Sequence, residues 1–226
     1  MTQQKSPSAS MIQTLTGIAT ISGVLIVLAF QITLPAIQKN KARILRQSIF
    51  EVLPGIEQMI TYKLNTNGEL VVLQEEDPKA IKLYAGYDHN GQLLGIAAEA
   101  QGQGFQDVIK VIYGYSPEKE AIIGLKVLES KETPGLGDKI YKDPDFRANF
   151  NELSVRLSNN KDSLEHPLEI VKKGKKTQKW QIDAITGATI SSKAIGKLLN
   201  NSTQVKIPLM VKNLEILKTH SKGNSP

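Results

Sequence analysis

Residues 6–38 carry no charged side chain, and apolar residues are densest across residues 18–34. With the Thr-rich shoulder at 12–16, this stretch is long enough to cross a hydrocarbon layer of about 30 Å as a helix. From Lys39 the pattern changes. Ile44, Leu45, Ile49 and Val52 recur at three- and four-residue steps among charged residues, which predicts an amphipathic helix over 38–53 that Pro54-Gly55 ends. Alternating apolar and polar runs follow at 60–64, 70–73, 80–87, 93–98, 108–115 and 121–129. The turn-forming stretches Asn65-Thr66-Asn67-Gly68, His89-Asn90-Gly91 and Ser116-Pro117-Glu118 separate them in pairs, so they read as hairpins of one antiparallel sheet. A helix is predicted over 145–157, with Phe146, Phe150 and Leu153 on one face. A hairpin from 168–171 to 179–185 is predicted to carry Lys172-Lys173-Gly174-Lys175-Lys176 at its solvated tip, and helical segments at 193–199 and 205–217 close the domain.

This pattern gives an α+β chain: a tail (1–10), a membrane anchor (11–37), a juxtamembrane helix (38–53), one domain with antiparallel sheet and flanking helices (54–218), and a frayed tail (219–226). A cleaved signal peptide is the competing reading of the first segment, but only Lys5 precedes it, and Leu34-Pro35-Ala36-Ile37 is a poor small-residue cleavage site.

Composition narrows the chemistry. The 226 residues, 40% hydrophobic and 22% charged, hold one medium domain and a short appendage. The net charge of +6 raises the question of an anionic partner. Aromatic residues at only 5%, with no helix-turn-helix, RRM or zinc-finger pattern, argue against nucleic acid. The absence of cysteine removes disulfides, thiolate metal sites and cysteine nucleophiles, and His89, His166 and His220 are scattered, with no metal-ligand spacing.

Two stretches carry candidate chemistry. In Asp183-Ala184-Ile185-Thr186-Gly187-Ala188-Thr189-Ile190-Ser191-Ser192 a strand-like run passes into a helix-like one through small residues that leave the Thr189 hydroxyl accessible. With Ser191 or Ser192 as N-cap, the helix start would offer N–H groups and a positive dipole end to a phosphate. A threonine hydroxyl is a weak nucleophile, and no nearby residue reads as its base. A hydrolase built on Thr189 or Ser191 with Lys193 is the least favoured alternative, since catalysis needs contacts of about 3 Å that sequence neighbours do not establish. The second stretch, Glu132-Thr133-Pro134-Gly135-Leu136-Gly137-Asp138-Lys139, follows a strand directly, and its glycines allow a tight loop with backbone N–H groups turned toward a ligand. Gly102-Gln103-Gly104-Phe105 is a weaker loop signal.

Together the two motifs resemble the FMN-binding domains of Rnf complexes and of the C-type subunits of Na+-translocating NADH:quinone oxidoreductase. The first resembles the flavinylation motif Asp-x-x-Ser/Thr-Gly-Ala-Thr; the second matches the other signature of these families, in the same order. Length and layout resemble the Rnf G-type subunits. This resemblance implies an FMN-binding domain behind a transmembrane helix, with FMN joined through its phosphate to Thr189 by a flavin transferase. It also implies cofactor contacts from Asp183, Thr186, Gly187 and Ala188 on one side and from Glu132, Thr133, Gly135, Leu136, Gly137 and Lys139 on the other. Leu136 would touch the ring, and Lys139 the phosphate or the charge on the reduced ring. No catalytic residue and no metal ligand is assigned. The implied partners are the other subunits of a membrane redox complex linking ferredoxin and NAD.

The alternatives are a component of the NADH:quinone oxidoreductase, a domain of another extracytoplasmic reductase, or a non-redox scaffold. The resemblance places the domain outside the cytoplasmic membrane. Lys39, Lys41, Arg43 and Arg46, set against Lys5 alone, place it inside by the positive-inside rule.

Overall fold

The structure, a computed structural model, describes residues 7–65, 68–74 and 80–219. The start of the predicted N-terminal tail with Lys5, Thr66 and Asn67 of the first predicted turn, and the tail from His220 lie outside the described residues. The chain divides into two compact units, Met1–Leu45 and Arg46–Pro226.

The first unit is helical. Helix α1 (Pro7–Val52) covers the charge-free stretch from Pro7 on, and most of its large apolar side chains there, including Ile18, Ile21, Leu25 and Phe30, are more than half exposed. This helix is long and apolar enough to cross a membrane. A helix satisfies its backbone internally, which lipid requires, and the hydroxyls of Thr14, Thr20 and Thr33 donate to carbonyls four residues back at 3.0, 2.8 and 2.8 Å. The predicted anchor and juxtamembrane helix fall within this one helix. Pro35 lies inside α1, and the helix runs on to Val52. Proline removes one N–H donor and clashes one turn back, a local defect that neighbouring turns can absorb.

The second unit is built on a seven-stranded antiparallel sheet: β1 (Gln58–Leu64), β2 (Leu70–Val72), β3 (Lys82–Tyr87), β4 (Leu93–Gln103), β5 (Val108–Ser116), β6 (Ala121–Glu129) and β7 (Leu153–Ser154), in the order β2-β1-β3-β4-β5-β6-β7. Consecutive hairpins make it close to a meander, as the turn spacing predicts. Strand β4 runs to Gln103, so Gly102 and Gln103 belong to the strand and only Gly104 and Phe105 to the loop.

Helix α4 (Thr189–Lys212) covers one face, with Ser202 Oγ 3.0 Å from the buried Tyr113 hydroxyl and Leu198 over Gly102. Burial pushes the Tyr113 phenol well above its ordinary range. Tyr87 donates to the carbonyl of Leu217 at 2.8 Å, tying helix α5 (Leu214–Thr219) to β3.

On the opposite face the end of α1 lies on glycine. Gly86, Gly95, Gly114 and Gly124 stand on four neighbouring strands, with Gly86 opposite Gly95 and Gly114 opposite Gly124. A Cβ at any of them would meet Val52, Leu53 or Ile56 at 3 Å or less. Missing side chains therefore seat the helix end. At Gly114 the obstacle includes the Val52 carbonyl, which cannot rotate away, and Leu53 Cδ2 at 2.8 Å. Gly114→Ala is expected to cost about 2 kcal/mol, within the range for overpacking, read as a lower denaturant midpoint at constant slope.

Three sequence expectations are corrected in the C-terminal half. The helix predicted over 145–157 is only α3 (Pro144–Ala148), after α2 (Lys139–Lys142). Asp143 caps it by accepting from Phe146 N at 3.0 Å, and Asn149 ends it. The Asn149 amide accepts from Asp183 N at 3.0 Å and donates to Asp183 O at 3.2 Å, which draws the chain away so that Leu153 pairs with Ile122. Phe146 and Phe150 still meet, edge to face at 5.3 Å. The predicted hairpin is a parallel pair, β8 (Glu169–Val171) with β9 (Gln181–Asp183). Its lysine loop doubles back because Asp183 Oδ1 accepts from the N–H groups of Lys175 and Lys176 at 3.1 and 3.0 Å. Finally, 193–199 and 205–212 form one helix, with Pro208 inside it.

Candidate functional site

Three segments distant in sequence meet at the start of α4: the β4–β5 loop at Gly104–Asp107, the β6–α2 loop at Ser130–Asp138, and the β9–α4 turn at Ala184–Ala188. They line a cleft of about 330 Å³ formed by Phe105, Glu132, Thr133, Leu136, Gly137, Gly187, Ala188, Thr189, Ile190 and Ser191.

Each loop has a local cause. In the β6–α2 loop, the Thr133 carbonyl accepts from Leu136 N at 3.2 Å and Gly137 N at 3.0 Å, a tight turn with Gly135 at φ +79°. In the β9–α4 turn Gly187 has φ +82°, and a Cβ there would meet nothing within 4 Å, so the space over it is open. Buried Ser192 closes this turn: its hydroxyl donates to Ala188 O at 2.9 Å and accepts from Ile185 N at 3.0 Å.

The N-cap is Ala188 rather than either serine, and no side chain caps the helix. Ser191 and Ser192 are already within its first turn. The opening N–H groups of α4 thus have neither an intrahelical acceptor nor a side-chain one, a ready seat for an anion.

Glu132 binds the three segments together. It is 6% exposed. Its Oε1 accepts from Phe105 N at 2.8 Å and Gln106 N at 3.1 Å, and its Oε2 accepts from the Ser191 hydroxyl. A Cβ on Gly137 would lie 2.7 Å from Glu132 Oε2 and 3.0 Å from Ser191 Oγ, so glycine is what lets this carboxylate reach the helix.

The structure thus brings Glu132, Thr133, Leu136, Gly137, Gly187, Ala188 and Thr189 to one cleft and leaves Asp183, Thr186, Gly135 and Lys139 outside its lining. Asp183 lies outside the lining, and its Oδ1 accepts from the lysine loop. Glu132 borders the cleft with three protein donors on its carboxylate, which gives it a supporting role there. Phe105, Ile190 and Ser191 also line it, Ile190 and Ser191 from the end of the first candidate stretch and Phe105 from the weaker Gly-x-Gly-Phe signal.

Phe105, Leu136 and Ile190 are 60%, 53% and 59% exposed, an apolar rim around an accessible threonine. An exposed apolar rim, an uncapped helix start and a free hydroxyl suit a ligand with a planar apolar body and a phosphate tail. No base is hydrogen-bonded to Thr189 among the described residues, and Lys193 makes no such contact. The hydrolase reading therefore lacks its geometry.

Comparison with known proteins adds to this geometry. Residues 104–204, which contain all three cleft segments, match the family model described as FMN-binding domain. The G subunit of an ion-translocating oxidoreductase complex from Methanosarcina acetivorans is 28% identical over 84% of this chain and 90% of its own length. The protein of the same name from Shewanella piezotolerans is 32% identical over 70% and 73%. The G subunit of a Na(+)-translocating ferredoxin:NAD(+) oxidoreductase complex from Acetobacterium woodii is 30% identical over 58% of each chain. The crystal structure of NqrC from Shewanella oneidensis shares the fold, with a TM-score of 0.54 over 76% of this chain and 88% of that one at 20% identity.

Proposed function

Since the chain belongs to the family of G subunits of ion-translocating oxidoreductase complexes, we propose that it is the membrane-anchored flavoprotein component of such a complex, carrying one FMN joined by a phosphoester to Thr189. The observation that carries this reading is the cleft itself: both motif loops border it, and the Thr189 hydroxyl opens into it at an uncapped helix start.

FMN, once bound, supplies the electron-accepting and electron-donating chemistry. This chain's residues hold and orient it. The α4 N–H groups would hold its phosphate, Phe105, Leu136 and Ile190 would border its ring, and Glu132 keeps the three segments in register. Thr189 Oγ would be the acceptor of the phosphoester, taking the place of the leaving group on the phosphorus of an activated flavin nucleotide, with its hydroxyl proton passing to a base on the transferase. Among the described residues no base is bonded to the Thr189 hydroxyl.

The complex links ferredoxin to NAD in this reading, with α1 as the anchor and the domain outside the cytoplasmic membrane, where the transferase acts. The test is intact-protein mass and in-gel flavin fluorescence of the full chain, expressed with and without an extracytoplasmic flavin transferase. One FMN added only with the transferase is the expected result. An unmodified chain beside a labelled control acceptor overturns both the covalent link and the side of the membrane. Leu136→Glu should leave attachment intact and shift the flavin reduction potential downward, since a carboxylate beside the ring disfavours added electrons. Redox titration reads this, and an unchanged potential removes Leu136 from the ring.

A further inference from the structure

Strand β6 is left open along most of one edge. β7 pairs with it only at Ala121 and Ile122, and the outward backbone groups of residues 123–128 meet no partner among the described residues. Pairing with β5 skips Ile123 and Leu128, two bulges that bracket a regular stretch from Gly124 to Val127. Bulges and a lysine are usual ways to blunt an edge. Here the lysine is turned aside: Lys126 Nζ is held by Glu51 at 2.6 Å, flat against the end of α1.

Helices α2 and α3 stand off from this edge and leave two cavities, of about 290 and 450 Å³. Both contain Leu125, Lys126 and Arg147, so they are parts of one groove along the strand. Ile140 and Tyr141 wall one part, Pro144 and Ala148 the other. Arg147 is exposed and has no ion-pair partner among the described residues.

We propose that this edge receives an extended segment of another protein of the same complex, added as a strand to β6 with a carboxylate side chain on Arg147. Four regular residues provide only two outward N–H and two outward C=O groups, too few to retain a free peptide. The occupant must therefore be held close by other contacts, as a fellow member of one assembly is, because tethering replaces affinity with effective concentration. A second copy of this chain would bring Arg147 to an edge already carrying that same unpaired cation, which favours an acidic partner over self-pairing. Backbone pairing with side-chain pockets on either side is a common way to recognise an extended segment.

The inference rests on the assignment to a complex made above, and the test separates the two. Amide hydrogen exchange is compared between the full chain in the assembled complex and the full chain alone. Every second amide in 124–127, those facing away from β5, is expected to slow at least tenfold in the complex. Unchanged exchange in a complex that contains the chain overturns the docking edge. Protection already present in the concentrated chain alone makes the occupant a second copy and overturns the proposal too. A complex that purifies without this chain overturns the assignment to the complex itself. Arg147→Glu should lower retention of the chain in the complex at least tenfold while Arg147→Lys does not; equal retention of Arg147→Glu and wild type removes the acidic contact.

Discussion

Thr189→Ala should yield a protein of unchanged fold that carries no covalent flavin. The side chain is exposed, it is the first residue of α4, and its hydroxyl makes no hydrogen bond among the described residues. Removing the hydroxyl therefore breaks no contact, and alanine is at least as good a helix former. Stability should stay within about 0.5 kcal/mol of wild type, as for a surface substitution away from special features. The chemical effect is complete, because the oxygen that would bond phosphorus is gone. Intact mass should lose the FMN increment and the denatured band its fluorescence. The cleft walls remain, so flavin that still binds should be released on denaturation.

Thr189→Ser keeps the oxygen at the same helix position and should restore attachment. If Thr189→Ala retains the increment, the bond lies on another hydroxyl. Ser191 is a poor candidate, since its hydroxyl is buried and given to Glu132, whereas exposed Thr186 is the neighbour to replace next.

The hydropathy pattern made the sheet legible because every hairpin turn is local, and a meander needs no knowledge of distant pairing. The anchor was legible from a run without charges. Where contacts between remote residues decide the structure, the pattern was blind. Phe146, Phe150 and Leu153 fit a helical face, but the Asn149 amide on Asp183 stops the helix, and no local propensity encodes a bond across 34 residues. The same bond and the Asp183 hold on the lysine loop convert a predicted hairpin into a parallel pair. The serines at 191 and 192 read as caps because serine commonly is one; here both lie inside the first turn of α4, where Ser192 bridges Ile185 N and Ala188 O and Ser191 gives its hydroxyl to Glu132. The glycine stripe under α1 was invisible because its members look like ordinary strand residues until the register aligns them.

The two motif loops do border one cleft, but the bonds that hold them there were not legible in the sequence. Asp183 and Glu132 are both acidic positions of a signature, and only the structure separates them: one organises a loop away from the cleft, the other holds the cleft together.

Glu132→Ala should therefore be the most disruptive single change in the cleft. It leaves Phe105 N, Gln106 N and the buried Ser191 hydroxyl without their acceptor. Unmade bonds of this kind cost about 1–3 kcal/mol per group. Allowing for partial rehydration of the exposed β4–β5 loop, a loss of about 3–4 kcal/mol is expected, together with most of the flavin attachment. Glu132→Gln tests whether charge or geometry matters. Its oxygen can take the two backbone N–H groups while its amide donates to Ser191 Oγ, so shape and pairing survive, and both melting temperature and flavin load should stay near wild type. Ser191→Ala removes one donor and leaves the other two satisfied, a smaller loss. Because Ser191 and Glu132 share a bond, the double alanine variant should cost less than the sum of the single ones. Additive costs would mean that the two residues act separately, and that the cleft is held by its loops rather than by this carboxylate.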